Sequence, residues 1–319
     1  MLEKFDSSQW TQYWSQGNLT TFSGVFEDGY EGEVKEFWWR VFTNFSKKDR
    51  VLDLGTGNGA LLRLLSDFAA ESDINFNAIG IDFANIARLR DVKFSNLKTV
   101  IHSETSMENT GLISNSVDHV ISQYALEYSK LTKSVPEIIR IMKKHSTLSA
   151  IMHSSDSKLI IEGNQYIEQI EYCMKLNLTQ VVIELIPIIT RIKSGEKVSI
   201  DEKSKAEVLR ENLNSGINNI LDFASNFKDQ LFFRNYIQQL TSVFSVQNRS
   251  LIDVIIERLN ISSIDYLQRM YDMQASRLSK QRITQLKQLA KDNSLEIVRL
   301  EPFIYKNSCY GLALEAKKL

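Results

Sequence analysis

The sequence contains little cysteine and proline and has no excess of charge of one sign. Of its 319 residues, two are cysteine and three are proline, and the formal net charge is −1. Two cysteines do not make a disulfide framework, so a reducing compartment is the simpler expectation. Proteins that neutralise phosphate backbones need a basic excess, which is absent here, so no nucleic acid is expected as a partner.

Neither a targeting segment nor a membrane segment is expected from the sequence. The first ten residues, MLEKFDSSQW, do not follow a basic region with an apolar one, as a signal peptide does. The most apolar run, VVIELIPII at 181–189, is shorter than a membrane-spanning helix and contains Glu184 and Pro187. No cluster of histidine, cysteine and carboxylate has metal-ligand spacing. We expect a cytoplasmic protein with neither a membrane span nor a metal.

The region 50–156 alternates short apolar runs with segments of helical spacing. This alternation indicates βαβ units and a parallel sheet. A helix is predicted from Ala60 to about Ala70 and another over 134–145. The five predicted strands are 50–55, 76–84, 97–104, 116–126 and 147–153.

The regions on either side of 50–156 differ from it in aromatic content and in the spacing of their apolar residues. Residues 1–46 hold all four tryptophans and show helical spacing at Trp10, Tyr13 and Trp14 and again over 31–45. Residues 157–292 repeat apolar residues at i, i+3 and i+4 without a convincing strand, which predicts a large helical insertion. The last segment, 293–319, contains the end of a helix and two strands joined by a tight turn, which predicts an antiparallel hairpin.

The run VLDLGTGNGA at 51–60 is typical of a turn over which a ligand lies. Its glycines fit both the dinucleotide pattern G-x-G-x-x-A and the pattern G-x-G-x-G, and the first is weak alone. Asp53 precedes the first glycine by two residues. A carboxylate does not favour a pyrophosphate, but it attracts the sulfonium and ammonium groups of S-adenosylmethionine. A strand–helix turn without a ligand is the alternative.

A second acid follows the next predicted strand. Asp82 ends AIGIDFA, near the distance from the glycines at which an acidic residue meets ribose hydroxyls. Its two oxygens can accept from both the 2′- and 3′-hydroxyl groups. Because NAD enzymes share this distance, Asp82 indicates a nucleoside without choosing one, and a plain helix N-cap is the other interpretation.

These segments, in this order, resemble class I S-adenosylmethionine-dependent methyltransferases. The resemblance lies in VLDLGTGNG, IGIDFA, SVDHVISQYALEY and the closing hairpin, and covers 50–156 and 293–319. It implies a Rossmann-like α/β fold with a seven-stranded, mostly parallel sheet. It also implies that the antiparallel strand lies at the C-terminal end of the chain and that the insertion precedes the last two strands. Residues 1–46 would form a helical lid, and residues 47–156 would form the core. Insertions at this place often shape the acceptor pocket in that family.

The resemblance also suggests which residues meet the cofactor. Gly55 and Gly57 would lie under the methionine part, and Asp82 would hold the ribose. An aspartate common in the family is replaced here by Ser106, so Glu108 or Glu104 is the substitute for the adenine contact. The full predicted cofactor set is Asp53, Gly55, Thr56, Gly57, Gly59, Asp82, Phe83, Ser106, Met107, Glu108 and Gln123, with Trp14 and Thr21 from the lid.

Two residues are candidates for catalysis, and the lid has two interpretations. His153 ends the fifth predicted strand, at the edge where open α/β sheets bind ligands, and is a candidate general base. Tyr124 follows the fourth strand, where it would open onto cofactor and acceptor. The segment that contains Tyr13, Trp14, Thr21 and Phe22 would close over the cofactor, and its aromatic faces suit a sulfonium by cation–π attraction. Core packing of these aromatics, and a structural role for His153, are the alternatives.

We therefore predict S-adenosylmethionine-dependent methyl transfer to the oxygen or nitrogen of a small molecule, held between the lid and the insertion. A protein or peptide acceptor comes second. A non-catalytic binding module and an NAD-dependent oxidoreductase are the alternatives from other classes. The insertion would equally serve as a homodimer surface.

Overall fold

The structure, a computed structural model, describes residues 7–21, 26, 29–86, 89, 92–246 and 248–319. The chain divides into two compact units. The sheet unit comprises Met1–Ile161 and Asp272–Leu319, and the helical unit comprises Glu162–Tyr271.

The elements alternate as predicted up to residue 152 and are helical from there to 292. The first part contains α1 Ser8–Ser15, α2 Gly32–Phe42, β1 Arg50–Leu54, α3 Ala60–Glu71, β2 Phe76–Ile81, β3 Leu97–His102, β4 Val117–Gln123, α4 Leu131–Ile141 and β5 Met142–Met152. The remainder contains α5 Lys158–Leu176, α6 Leu178–Lys193, α7 Ile200–Ala224, α8 Leu231–Ser242, α9 Arg249–Ser276, α10 Lys280–Asp292, β6 Leu295–Tyr305 and β7 Ser308–Lys318.

The seven strands form one sheet in the order β3-β2-β1-β4-β5-β7-β6, and this confirms the predicted Rossmann-like α/β fold. Strands β1 to β5 pair in parallel, whereas β7 is antiparallel to both β5 and β6. A two-residue turn joins β6 to β7, and Lys306 and Asn307 there have φ of 47° and 58°. Such positive φ values match the turns that follow the twist of a hairpin.

Helices cover both faces of the sheet, which makes the unit three layers. On one face, α4 and α10 contribute Ile138, Leu286 and other apolar side chains to a cluster with β1 and β4. On the other face, α2 and α3 contribute Trp38 and Leu65 to a second cluster. Strands buried on both faces read as continuous apolar runs, which explains why VLDL showed no alternation.

The predicted helix over 134–145 is wrong at its C-terminal end. Helix α4 ends at Ile141, and β5 begins at Met142, where it pairs with Val117 across a register shift. His145, predicted to lie at a helix end, therefore lies in a strand, with φ of 65°. Met142 is fully buried within the sheet's apolar cluster, so core packing overrides the apolar spacing that made the segment look helical.

The helical unit has an apolar core of its own, built by α6, α7 and α8 with parts of α5 and α9. Its limits, 162–271, differ from the predicted insertion, 157–292, because Leu286 and Ala290 of α10 pack in the sheet unit. Among the described residues, only the stretch Lys158–Lys193 is long and apolar enough for a membrane span. Asn177, with φ of 50°, separates it into α5 and α6. Side chains of α6 such as Val182 fill the helical core.

Candidate functional site

The glycine-rich turn follows β1 directly, and two of its glycines admit no side chain. Gly55 has φ of 69°, and a Cβ on it would lie 2.2 Å from the Cβ of Ala125. Gly57 has φ of 50°, and a Cβ there would lie 2.6 Å from the indole of Trp14. Glycine is needed at both positions because of the backbone conformation and because of the close approach of neighbouring groups.

A cavity of about 330 Å³ opens over this turn, at the carboxyl ends of the parallel strands. This is the edge at which open α/β sheets bind ligands. Twelve of the fifteen residues predicted for the site line it: Trp14, Thr21, Asp53, Gly55, Thr56, Asp82, Phe83, Ser106, Met107, Glu108, Gln123 and Tyr124. Three predicted residues, Gly57, Gly59 and His153, do not line it. Phe22 lies outside the described residues.

Asp82 connects the end of β2 to the glycine turn. One carboxylate oxygen accepts from the backbone N–H of Gly57 at 2.8 Å, and the other accepts from that of Ala84 at 2.8 Å. Burial raises the pKa of Asp82 to about 6, against the lowering effect of these hydrogen bonds. Each oxygen has a second lone pair, so the carboxylate can still accept from two ligand hydroxyl groups.

Asp53 is the second acid of the cavity wall and is 1% exposed. Its carboxylate accepts from the Thr56 hydroxyl at 2.6 Å. Burial raises the pKa of Asp53 to about 7, and the nearby charge of Asp82 adds to the rise. A cationic ligand would offset both effects, because an opposite charge favours the ionised carboxylate.

The amide of Gln123 is held in one orientation at the cavity wall. The indole N–H of Trp38 donates to Gln123 Oε1 at 2.6 Å. This bond identifies the oxygen, so Nε2 is the donor, and Nε2 has no hydrogen-bond partner among the described residues. Gln123 is 8% exposed, and a buried donor of this kind gains free energy from a ligand acceptor.

Helix α1 packs directly against the glycine turn. The Asn58 side-chain amide donates to the carbonyl of Trp14 at 2.9 Å and to that of Asn18 at 2.7 Å. The Trp10 ring meets the ring of Tyr128, after β4, edge to face at 5.7 Å. Trp10 and Trp14 both line the cavity, so the aromatic N-terminal segment forms part of its wall.

Comparison with known protein families shows to which family the chain belongs. A family model described as a methyltransferase domain matches residues 45–212, more than half of the chain. The chain belongs to this family. The match contains the glycine turn, Asp53, Asp82 and Gln123, and it confirms the resemblance to class I methyltransferases. Among curated proteins, no match is found.

Solved methyltransferases are similar to this one at low identity. An S-adenosylmethionine-dependent enzyme from Aquifex aeolicus is 21% identical, with 49% of this chain and 77% of that chain covered and a TM-score of 0.33. One from Methanosarcina mazei is 12% identical, with 88% and 97% covered and a TM-score of 0.38. The citrinin polyketide synthase CMeT domain is 10% identical, with 89% and 51% covered and a TM-score of 0.43. The chain spans 45–51% of the length of several matched structures.

The two candidate catalytic residues of this methyltransferase domain stack on each other beside the cavity. His153 is 2% exposed and does not line the cavity, and its ring stacks on that of Tyr124 at 4.6 Å. Burial lowers the pKa of His153 to about 3, which makes the imidazole a weak base. The Tyr124 hydroxyl donates to the carbonyl of Tyr310 at 3.0 Å. Tyr124 therefore borders the cavity, with its proton engaged by the backbone.

Gly57 and Gly59 have structural positions next to the cavity. Gly57 lies under the Trp14 indole, and its N–H donates to Asp82. Gly59 is the N-cap of α3 with φ of 82°, and a Cβ there would lie 2.7 Å from Leu89. Both glycines are buried, so they determine the conformation of the turn without lining the cavity.

Several cavity residues escaped the sequence analysis. Tyr30, Tyr128 and Lys130 all line the cavity, and none was predicted to do so. Tyr128 ends the run SQYALEY, two residues beyond the predicted strand, and this proximity was the available signal. Tyr30 lies in a loop ahead of α2, so nothing local marks it. Burial raises the pKa of Tyr30, and the charge of Asp53 contributes to the rise, so its hydroxyl stays protonated.

Glu127 is a fully buried carboxyl next to the cavity lining, and it should make the stability pH-dependent. Its Oε1 accepts from the backbone N–H of His153 at 2.7 Å. Burial raises its pKa from 4.5 to about 8. Between these two pH values the folded protein holds a proton that the unfolded chain has lost. The free energy of unfolding should therefore fall as the pH rises through this window.

We expect Glu127→Gln to reduce this fall, because glutamine stays neutral at every pH. Urea unfolding across the window measures the slope for each protein. Asp53 and Asp82 contribute in the same direction, so some slope should persist in the variant. Glu36→Gln, on an exposed position of α2, is the control. Identical slopes for the wild type and Glu127→Gln would contradict the assignment.

Proposed function

We propose that this domain binds S-adenosylmethionine in the cavity and transfers its methyl group to a small-molecule acceptor. The observation that carries the proposal is the convergence of Gly55 with the buried Asp53 and the half-buried Asp82 on one cavity wall. Gly55 allows a ligand to approach the backbone, Asp82 suits the ribose hydroxyl groups, and Asp53 suits a cation. The family match supports the use of this cofactor.

The charge of the cavity favours a sulfonium nucleoside over a dinucleotide. The charge of Asp82 adds to the rise that burial causes in the pKa of Asp53. An anionic pyrophosphate in the same space would raise both pKa values further, whereas a sulfonium and an ammonium group would lower them. An NAD-dependent oxidoreductase is therefore the weaker alternative.

The residues of the cavity act mainly by positioning. The sulfonium already activates the methyl group, so the enzyme has to hold the acceptor in line with the carbon–sulfur bond. Methyl transfer to an O–H or N–H acceptor would leave S-adenosylhomocysteine and a proton, and the proton would pass to solvent. We assign Tyr124 to the cavity wall and His153 to the support of the Tyr124 ring. Neither is positioned as a general base: His153 does not line the cavity, and the Tyr124 hydroxyl donates to a carbonyl.

A small acceptor fits the walls of the cavity better than a protein segment does. Trp10, Tyr30 and Tyr128 present aromatic surface, and α1 is tied to the turn through Asn58. Ligand pockets for small molecules are typically apolar with a few polar groups. We also propose a cytoplasmic location, because Cys173 and Cys309 are both free thiols.

The acceptor class can be tested by following the transfer of label from methyl-labelled S-adenosylmethionine. A lysate is separated by ultrafiltration, and the small-molecule filtrate and the protein retentate are each incubated with the enzyme. We expect label to move only into the filtrate, and we expect Tyr128→Ala to reduce the transfer more than the cofactor affinity. Label found only in the retentate would show a protein acceptor and contradict the proposal.

A second variant tests the role of His153. We expect His153→Asn to lower the melting temperature and to leave the pH at half-maximal methyl transfer unchanged, because the ring packs beside the cavity without facing it. The control is His102→Asn, at the end of β3. A pH profile that loses an ionisation in His153→Asn alone would restore the general base predicted from sequence.

A further inference from the structure

Helix α9 has an exposed apolar stripe, and the hydroxyl of Tyr271 at its C-terminal end donates to Glu171 of α5. The stripe, defined as Val254, Ile261, Ile264 and Tyr271, has exposed fractions of 49%, 40%, 51% and 41%. Ile252, Ile256 and Leu259 lie on the opposite side of the helix and are buried in the core of the unit. Four large exposed apolar side chains along one line of a helix mark an interaction surface.

The spacing of the stripe is that of a coiled-coil seam. Val254, Ile261 and Gln268 are seven residues apart, as are Glu257, Ile264 and Tyr271. These two series occupy the a and d positions of a heptad repeat. A seam of this kind packs against another helix. The remaining question is which helix that is.

We propose that the stripe binds the stripe of a second copy of this chain, with the two α9 helices antiparallel. A two-fold axis between Ser262 and Ser263 makes the seam self-complementary. It sets Val254 against the partner's Tyr271 and Ile261 against the partner's Ile264. The polar layer sets Glu257 against the partner's Gln268, which can donate hydrogen bonds to the carboxylate.

Charges beside the stripe support this occupant and this direction. Arg258 and Asp265 lie on the same flank, at e positions, and the antiparallel register sets each against the other on the partner. Asp265 is half-buried, Arg269 of the same helix attracts it, and its Oδ2 has no hydrogen-bond partner among the described residues. Arg258 is exposed and makes no ion pair with any described residue. A parallel dimer would instead set Glu257 against its own copy, and like charges across a seam are repulsive. The inference is independent of the proposed chemistry.

Sedimentation velocity on the full chain tests the proposal. We expect a dimer, and we expect Ile261→Asp to raise its dissociation constant by at least about tenfold, because it buries a charge in the seam. Ile200→Asp is the matched control, since Ile200 is 83% exposed but lies at the start of α7. Circular dichroism checks that both variants are folded.

The charge pair tests the register. Arg258→Asp and Asp265→Arg should each weaken the dimer, and the double variant should restore it, because each chain again offers one charge of each sign. A chain that is monomeric over the accessible concentration range would overturn the proposal. So would a dimer that Ile261→Asp leaves unchanged, while a double variant weaker than either single one would overturn the antiparallel register.

Discussion

Asp82→Ala is expected to weaken the binding of S-adenosylmethionine and S-adenosylhomocysteine by about a hundredfold. The carboxylate would accept two hydrogen bonds from ribose, and bonds to a charged group contribute about 1.5–3 kcal/mol each. Loss of two such bonds, about 3 kcal/mol, corresponds to the stated loss of affinity. Calorimetric titration of both nucleosides into wild type and variant measures the effect.

The variant also removes two internal hydrogen bonds, because Asp82 accepts from the N–H groups of Gly57 and Ala84. Its stability therefore has to be measured along with its affinity. Asp118→Ala is a matched control, since Asp118 accepts from the Arg50 N–H at 3.0 Å and lies away from the cavity. Unchanged affinity in a folded Asp82→Ala protein would show that Asp82 only caps the turn.

Gly55→Ala is expected to destabilise the fold and to abolish cofactor binding together. The new Cβ would overlap the Cβ of Ala125, at 2.2 Å, and the residue would keep φ of 69°. A left-handed conformation costs about 1–2 kcal/mol for a residue other than glycine, and overpacking costs about 1–3 kcal/mol. Thermal unfolding measures the loss of stability. Calorimetric titration with S-adenosylhomocysteine measures the loss of cofactor binding.

The two causes can be separated with a second substitution. Ala125→Gly removes the atom that the new Cβ meets but leaves the backbone strain at Gly55. We expect the double variant to recover the overpacking part of the loss and no more. The double-mutant cycle gives this coupling directly. Full wild-type stability in Gly55→Ala alone would mean that the turn relaxes and that the close approach has no importance.

Sequence patterns predicted the parts of the site that depend on backbone conformation. The glycines and Asp82 follow strands whose ends meet at one edge of a parallel sheet, so strand order alone brought them together. The direction in which a side chain points could not be predicted from these patterns. His153 follows a strand at the expected edge, yet its ring lies behind Tyr124, and nothing in AIMHSSDS indicates that direction.

Helical periodicity also identified helices without assigning them to a unit. Helix α10 shows the same apolar spacing as the insertion, but Leu286 and Ala290 pack against the sheet. The predicted boundary at 292 followed the periodicity, whereas the structural one follows the contacts, at 271 and 272. Tyr30 was missed for a related reason, because a loop residue carries no periodicity at all.

Calorimetric titration of the unmodified protein with S-adenosylmethionine, S-adenosylhomocysteine and NADH tests the central claim most directly. It asks whether the cavity between Asp53, Gly55 and Asp82 holds a sulfur-containing nucleoside. We expect both sulfur nucleosides to bind with a stoichiometry of one per chain and NADH to produce no heat of binding. Binding of NADH without either sulfur nucleoside would contradict the account and would assign the glycine turn to a dinucleotide.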